Sequence, residues 1–308
     1  MGHVVSDLPD SSLLRSFLVL GQELNFRRAA ERLGVDQSAL SRRIQKLEAE
    51  LRYRLFERTT HEVAMTPAGL EFYQSATRLL SDYRSAIDHA ALIAEGRRGK
   101  VRIGYMSFAA PGLMPRAVRR FERIYPDVLL ELRYLHTQKQ KVALANDDID
   151  VGYMIGPYDN PDYHTVTLSR DRLFLLMPAD HRFLVRETVA PASIADMRLI
   201  LGDISEWGEY RHRLEDMFGG IGISLRASFE ASNTLGLLGL VASGLGVTVY
   251  PESLLGLIGD GIQARPIDHP DFSITTVLVW KRINRSRSVR NFTDIARLDE
   301  GARISVSV

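Results

Sequence analysis

The chain has 308 residues, 45% of them hydrophobic and 25% charged, with a formal net charge of +1. That length suits about two domains or more, and the composition is that of an ordinary folded protein. The near-zero charge excludes a uniformly basic nucleic-acid coat protein and an acidic disordered tail. Cysteine is absent, which excludes disulfides, Cys-ligated zinc, iron–sulfur clusters and a thiol nucleophile, and suits a reducing compartment.

Residues 1–9 carry neither the basic segment nor the apolar run of a signal peptide, so a cytoplasmic protein is expected. The longest uncharged stretch, 231–251, contains Gly236, Gly239, Gly244 and Gly246 besides Ser232, Asn233, Thr234 and Ser243. A membrane span needs a more uniform run of about 20 apolar residues. This stretch reads as a buried helix, a glycine stop and a buried strand, and no membrane partner is expected.

Residues 13–51 read as three short helices. Leu13, Leu14, Phe17, Leu18 and Leu20 follow helical spacing up to Gly21. Asn25 can cap a second helix that buries Ala29, Ala30 and Leu33 and stops at Gly34. Asp36 can cap a third, with Leu40, Ile44, Leu47 and Leu51 on one face. Two helices joined by a short glycine turn form a helix-turn-helix pattern, although a small helical bundle has the same signature. The outer face of the third helix presents Gln37, Ser38, Ser41, Arg42 and Gln45, side chains able to hydrogen-bond base edges and phosphates. Between Arg27 and Arg58 lie nine basic and five acidic residues, a local excess of four positive charges suited to a phosphate backbone.

These residues resemble a family. The runs Phe26-Arg-Arg-Ala-Ala-Glu-Arg-Leu, Gln37-Ser-Ala-Leu-Ser-Arg-Arg-Ile, Leu47-Glu, Leu55-Phe-Glu-Arg-Thr and Met65-Thr-Pro-Ala-Gly69 look like a LysR-type transcriptional regulator over residues 11–69. The resemblance implies a winged helix-turn-helix over 8–66, with the wing at 58–66. It implies DNA contacts by Arg27, Gln37, Ser38, Ala39, Ser41 and Arg42, and by Arg58 and His61 in the wing. Two positions depart from the family. Arg52 stands where Gly is usual, and would be strained in a left-handed conformation. His61 replaces a common Arg or Lys; it reads first as a solvated loop residue, and otherwise as a weaker or pH-sensitive wing contact.

Pro67 can open a long helix. Phe72, Ala76, Leu79, Tyr83, Ile87, Ala90 and Ala94 recur at steps of three or four, a stripe about seven turns long. Such a face packs on its own chain or on a partner's helix. The resemblance implies the second, a dimerising linker over 67–96. Gly96-Arg-Arg-Gly99 then reads as a hinge.

From Lys100 strands and helices alternate: strands at 101–106, 128–134 and 149–155, helices at 113–125 and 138–145. A second set follows, with strands at 173–177, 199–201, 224–230 and 247–250 and helices at 207–218 and 234–243. A strand at 274–280 and a helix at 286–298 close the chain. The βαβαβ order argues for parallel sheets covered by helices, with a ligand cleft at strand C-termini and helix N-termini. The overall class is α/β. The resemblance implies a two-lobed, periplasmic-binding-protein-like effector domain over 97–308, with lobe I at 100–167 and 271–308 and lobe II at 168–270.

Ser107 and Phe108 follow the first strand. Thr137 and Ser205 each stand where either a helix N-cap or a ligand donor is needed, and Thr234 opens a third helix. The family's effector cleft uses these places, so Ser107, Phe108, Thr137, Ser205 and Thr234 are effector-contact candidates. Phe72-Tyr-Gln-Ser-Ala and the stretch 130–144 are similar to members that sense benzoate, muconate and related acids. Those members carry an Arg where this chain has Ile155, so a bidentate carboxylate clamp is missing. The effector is then less acidic, or is held by other donors such as His136 or helix N-termini.

No Gly-x-Ser-x-Gly elbow, His-Glu-x-x-His pair or Walker loop occurs. The eight histidines are scattered, so no metal, cofactor or catalytic residue is expected. The reading is a promoter-binding regulator of double-stranded DNA, a homodimer or homotetramer, responding to a small organic or aromatic acid or related molecule. A solute-binding protein and a two-lobed enzyme remain as alternatives.

Overall fold

The computed structural model describes residues 9–58 and 63–298. They fall into two compact units, 1–91 and 92–308.

In the first unit, α1 (Ser11–Glu23) starts at Asp10, whose carboxylate accepts from the Ser12 amide. It does not stop at Gly21. That residue lies buried inside the helix, where a Cβ would come within 2.7 Å of the Tyr73 ring and 2.8 Å of Met65. The glycine therefore marks a close approach rather than a helix end. Asn25 caps α2 (Phe26–Leu33) by accepting from the Arg28 amide, and Gly34 ends it at φ +65°. Asp36 occupies the cap position of α3 (Gln37–Leu51) without making a side-chain cap bond. Arg52 follows α3 at φ +63°, the left-handed conformation that an L side chain adopts at a cost.

The three helices close over Leu13, Phe17, Leu20, Ala29, Ala30, Leu40, Ile44, Leu47, Leu55 and Phe56. Glu48 of α3 accepts from the Leu55 and Phe56 amides at 2.8 and 3.1 Å, which fixes the start of the hairpin β1 (Phe56–Arg58) and β2 (Val63–Met65). Thr66 accepts from the Gly69 amide, and α4 (Pro67–Ala94) begins there with proline in its first turn. The helix leaves Leu79, Tyr83, Ile87 and Ile93 more than half exposed.

The second unit contains two lobes. In lobe I, β3 (Gly99–Tyr105) lies between β4 (Val128–Tyr134) and β5 (Val151–Ile155), both parallel to it. Helices α5 (Leu113–Ile124) and α6 (Thr137–Ala145) make the connections, and the final helix α9 (Arg287–Leu298) packs beside α5 over Val101, Ile103, Phe121 and Phe292. Lobe II carries the parallel pair β7 (Leu199–Gly202) and β8 (Ala227–Ala231), with helices α7 (Ile204–Gly219) and α8 (Thr234–Ala242) and strand β9 (Thr248–Pro251).

One strand passes between the lobes. β6 (Tyr163–Pro178) has 16 residues, far more than the five expected at 173–177. Its first part pairs antiparallel with β11 (Ser273–Lys281), which also pairs with β5; its last part pairs with β9 and with β10 (Ile262–Pro266). A register shift falls between Thr276 and Val277, opposite Ser169 and Thr167. The antiparallel strands make the central sheet mixed rather than purely parallel.

Candidate functional site

Two surfaces collect the candidate residues. On α3, Leu40, Ile44 and Leu47 face the core, which turns Gln37, Ser38, Arg42 and Gln45 out to solvent. Ala39 and Ser41 are half-buried at the edge of that face. Much of the unit's positive charge is compensated locally. Arg27 pairs with Glu31 at 3.1 Å, Arg28 and Arg32 pair with Glu23 at 3.6 and 3.0 Å, and Lys46 lies 3.9 Å from Glu50. Among the described residues no carboxylate lies within ion-pair distance of Arg42, so its charge is available to an anion. Arg58 ends β1 opposite Val63, at the base of the wing; His61 lies outside the described residues.

The second surface is the cleft between the lobes. The turn after β3 carries Ser107 and Phe108, the start of α6 carries His136 and Thr137, and the start of α7 carries Ser205, Glu206 and Trp207. Ser107, Phe108, Thr137, Ile155 and Ser205 all line one cavity of about 60 Å³. Thr234 is not on its wall, but its hydroxyl lies 3.2 Å from Ser107 Oγ, across the lobes. That contact belongs to a chain of hydroxyls: Ser107 Oγ to Tyr134 at 2.7 Å, and Tyr250 to Thr234 Oγ1 at 3.4 Å.

Three candidates have roles different from those expected. Thr137 does not cap α6; His136 holds the cap position, and Thr137 is buried with its hydroxyl accepting from the Ile155 amide at 3.1 Å. Ser205 does not cap α7 either. Asp203 does, accepting from the Glu206 amide at 2.8 Å, while the Ser205 hydroxyl donates to the same carboxylate oxygen. Those bonds, the Ser205 one first, hold the Asp203 carboxyl below its ordinary range. Phe108 is 2% exposed and wedges into lobe II, 4.9 Å edge-on from Tyr210 and 6.4 Å from Trp207. It joins the core of lobe II together with Met106 and Ile155.

Sequence reasoning missed the charged rim of the cleft. His136 Nε2 lies 2.6 Å from Glu206 Oε2, and Lys139 Nζ donates to Glu206 Oε1 at 2.7 Å. One turn further along α7, Glu209 accepts from Gln138 Nε2 at 2.7 Å and Lys141 Nζ at 3.2 Å, and Arg213 reaches it at 3.3 Å. The available signal was opposite charge at the starts of two helices that both follow strand ends. Burial lowers the His136 pKa from its ordinary value, against the opposing pull of Glu206. The Lys139 hydrogen bond holds the Glu206 carboxyl below its ordinary range. Tyr210, also missed, and Tyr250, at a strand end of the cleft, are pushed above the ordinary phenol range by burial and stay protonated.

Among the described residues no cluster of three or more His, Asp or Glu side chains is disposed to hold a metal, and no helix is long and apolar enough to cross a membrane.

Comparison with known proteins bears on both surfaces. Residues 11–70 match the bacterial regulatory helix-turn-helix protein, lysR family, and residues 94–299 match the LysR substrate binding domain. The Hca operon transcriptional activator HcaR of Escherichia coli is 29% identical over 92% of this chain and 96% of its own length. BenM of Acinetobacter baylyi, an HTH-type transcriptional regulator, is 29% identical over 87% of this chain and 88% of its own. A crystal structure of full-length CbnR complexed with its target DNA superposes with a TM-score of 0.82 at 21% identity, over 95% of this chain and all of that one. Full-length BenM superposes at 0.61 with 26% identity, over 96% and 98% of the two chains. With a reading helix, a two-lobed effector domain and both family models matched along its length, this chain belongs to the LysR family of DNA-binding transcriptional regulators and is not an enzyme.

Proposed function

We propose that the chain reads a two-fold related promoter site through paired α3 helices, and that a small molecule in the inter-lobe cleft changes how it does so. The observation that carries this is the pairing of two exposed faces in one unit. The outer side of α3 offers Gln37, Ser38 and Arg42, and α4 offers an unpartnered apolar stripe at Leu79, Tyr83 and Ile87. Three large apolar side chains in register at four-residue steps suit the same helix of a second copy. A dimer then carries two reading helices, and a two-fold operator mirrors its symmetry.

In this reading Gln37, Ser38, Ala39, Ser41 and Arg42 meet base edges and phosphates, while Arg27, Arg58 and His61 approach the backbone and the adjacent groove. The working parts are 8–66 for DNA, 67–96 for dimerisation and 97–308 for the effector, with lobe I at 100–167 and 271–308 and lobe II at 168–270. Dimers pair further through lobe I edges into a tetramer, and the protein works in the cytoplasm. The effector contacts Ser107, Phe108, Thr137, Ile155, Ser205 and Thr234. A cavity of about 60 Å³ is smaller than the roughly 150 Å³ that holds a benzene ring. Entry of a ring-bearing effector therefore moves Phe108 or separates the lobes, and effector affinity differs between the two shapes, as coupling requires.

The test is a DNase footprint and bending assay on the chain's own upstream DNA. Protection should cover two half-sites on one face of the duplex, weaken with salt, and change in extent or bend with effector. Salt-insensitive binding, or an effector that alters transcription with footprint and bend unchanged, sinks this mechanism.

A further inference from the structure

The rim of the cleft contains its own anion. Glu206 and Glu209 project from the first turns of α7 in lobe II and take the polar groups at the first turn of α6 in lobe I. His136 and Lys139 go to Glu206; Gln138 and Lys141 go to Glu209. Both ammonium groups thus lie within 3.2 Å of a carboxylate, and Arg213 behind them is also committed to Glu209. Asp203, the remaining acidic group at this end of α7, is occupied by its cap bonds. Deeper in, the wall is uncharged. It consists of Phe108, Trp207 and Tyr210 with buried Ile155, bordered by the hydroxyls of Ser107, Tyr134, Thr234 and Tyr250.

We propose that Glu206, backed by Glu209, is a specificity-determining residue: a tethered carboxylate that occupies the cationic corner of the cleft and turns it toward uncharged, ring-bearing molecules and away from carboxylates. The inference rests on the reading of the cleft as the effector site. A carboxylate entering from solvent meets two like charges and finds no unclaimed cation on the rim, so its desolvation goes uncompensated. A neutral amide, alcohol or carbonyl pays no such cost. Its polar group can join the hydroxyl chain, where each member both donates and accepts, while its ring replaces Phe108 against Trp207 and Tyr210. The same ion pairs run between the starts of α6 and α7, one in each lobe.

Benzamide and benzoate test this, since they share ring and shape and differ in charge. The chain has two tryptophans; in full-length W280F protein, Trp207 alone reports from the cleft wall. Titration followed by Trp207 emission should show benzamide binding about tenfold or more tighter than benzoate. Adding Glu206→Gln should tighten benzoate by about tenfold with benzamide nearly unchanged, whereas Lys139→Gln should leave benzoate disfavoured. Thermal melts of each variant confirm that the fold is kept. Because the readout is a ratio between two ligands on one protein, a general loosening of the lobes does not imitate it. Benzoate binding as tightly as benzamide, or a ratio unmoved by Glu206→Gln, overturns the role of Glu206 while leaving the cleft as effector site. Thermal stabilisation by either probe without any change in Trp207 emission places binding elsewhere and overturns the reading of the cleft as well. The same follows if neither probe acts on any of the proteins.

Discussion

Arg52 illustrates what one residue can cost. The chain must reverse after α3 to enter the wing, and it does so at φ +63°. An L side chain there carries about 1–2 kcal/mol of strain, partly offset in a glycine variant by the greater entropy of its unfolded chain. Arg52→Gly should therefore stabilise the DNA-binding unit by about 1 kcal/mol, read as a higher melting midpoint; an unchanged or lower midpoint would show that the arginine makes contacts worth its strain. Gly69 is the opposite case. A Cβ there would run into the Leu55 carbonyl oxygen. Backbone cannot step aside as a side-chain tip can, so Gly69→Ala should cost on the order of 1–3 kcal/mol in the same melt. On the reading face, Arg42→Ala should weaken specific DNA binding by roughly 1–3 kcal/mol in a gel shift, because no neighbouring carboxylate competes for this guanidinium. Arg27→Ala should cost less, its charge being already shared with Glu31 at 3.1 Å.

At the scale of elements, legibility follows burial on one face or two. Much of the head was readable, since caps such as Asn25 and stops such as Gly34 act within a few positions, whereas Gly21 lies inside α1 and Asp36 makes no cap bond. β4 (Val128–Tyr134) was read with its observed bounds. β6 was not, and its burial explains why. Residues 173–177 are buried on both faces and form an apolar run, while 163–172 bury about one side and interleave His164, Thr165, Thr167 and Arg170. β10 was missed altogether: Ile-Gln-Ala-Arg-Pro ends the sheet, where an exposed edge tolerates both charge and proline. The cleft was legible as a list of helix starts and strand ends, but which charges pair across it, Glu206 with Lys139 and Glu209 with Lys141, is set by tertiary packing. The long stripe on α4 was legible, and its exposure carries a prediction. Tyr83→Lys with Ile87→Lys should shift the protein toward monomer in sedimentation and lower affinity for a two-half-site operator far more than for a single half-site. Unchanged sedimentation would remove α4 from the dimer interface.

At the scale of the whole molecule, acid should act first on the effector domain. His136, His164 and His181 all have pKa values lowered, chiefly by burial. For each, the unfolded chain binds a proton more readily than the folded one. Their stabilising contribution is present above the ordinary histidine pKa of 6.5 and is lost as pH falls through the lower folded values. Melting midpoints should drop from about pH 7.5 to about 5.5, and His136→Gln should flatten part of that slope. A midpoint that rises on acidification would contradict the assigned direction.

The strand shared by the lobes has a mechanical consequence. β6 is hydrogen-bonded to β11 up to Arg172 and to β9 and β10 from Leu173 on, with a register shift near Leu168. A relative movement of the lobes cannot leave β6 untouched, because the strand is hydrogen-bonded into the sheets of both.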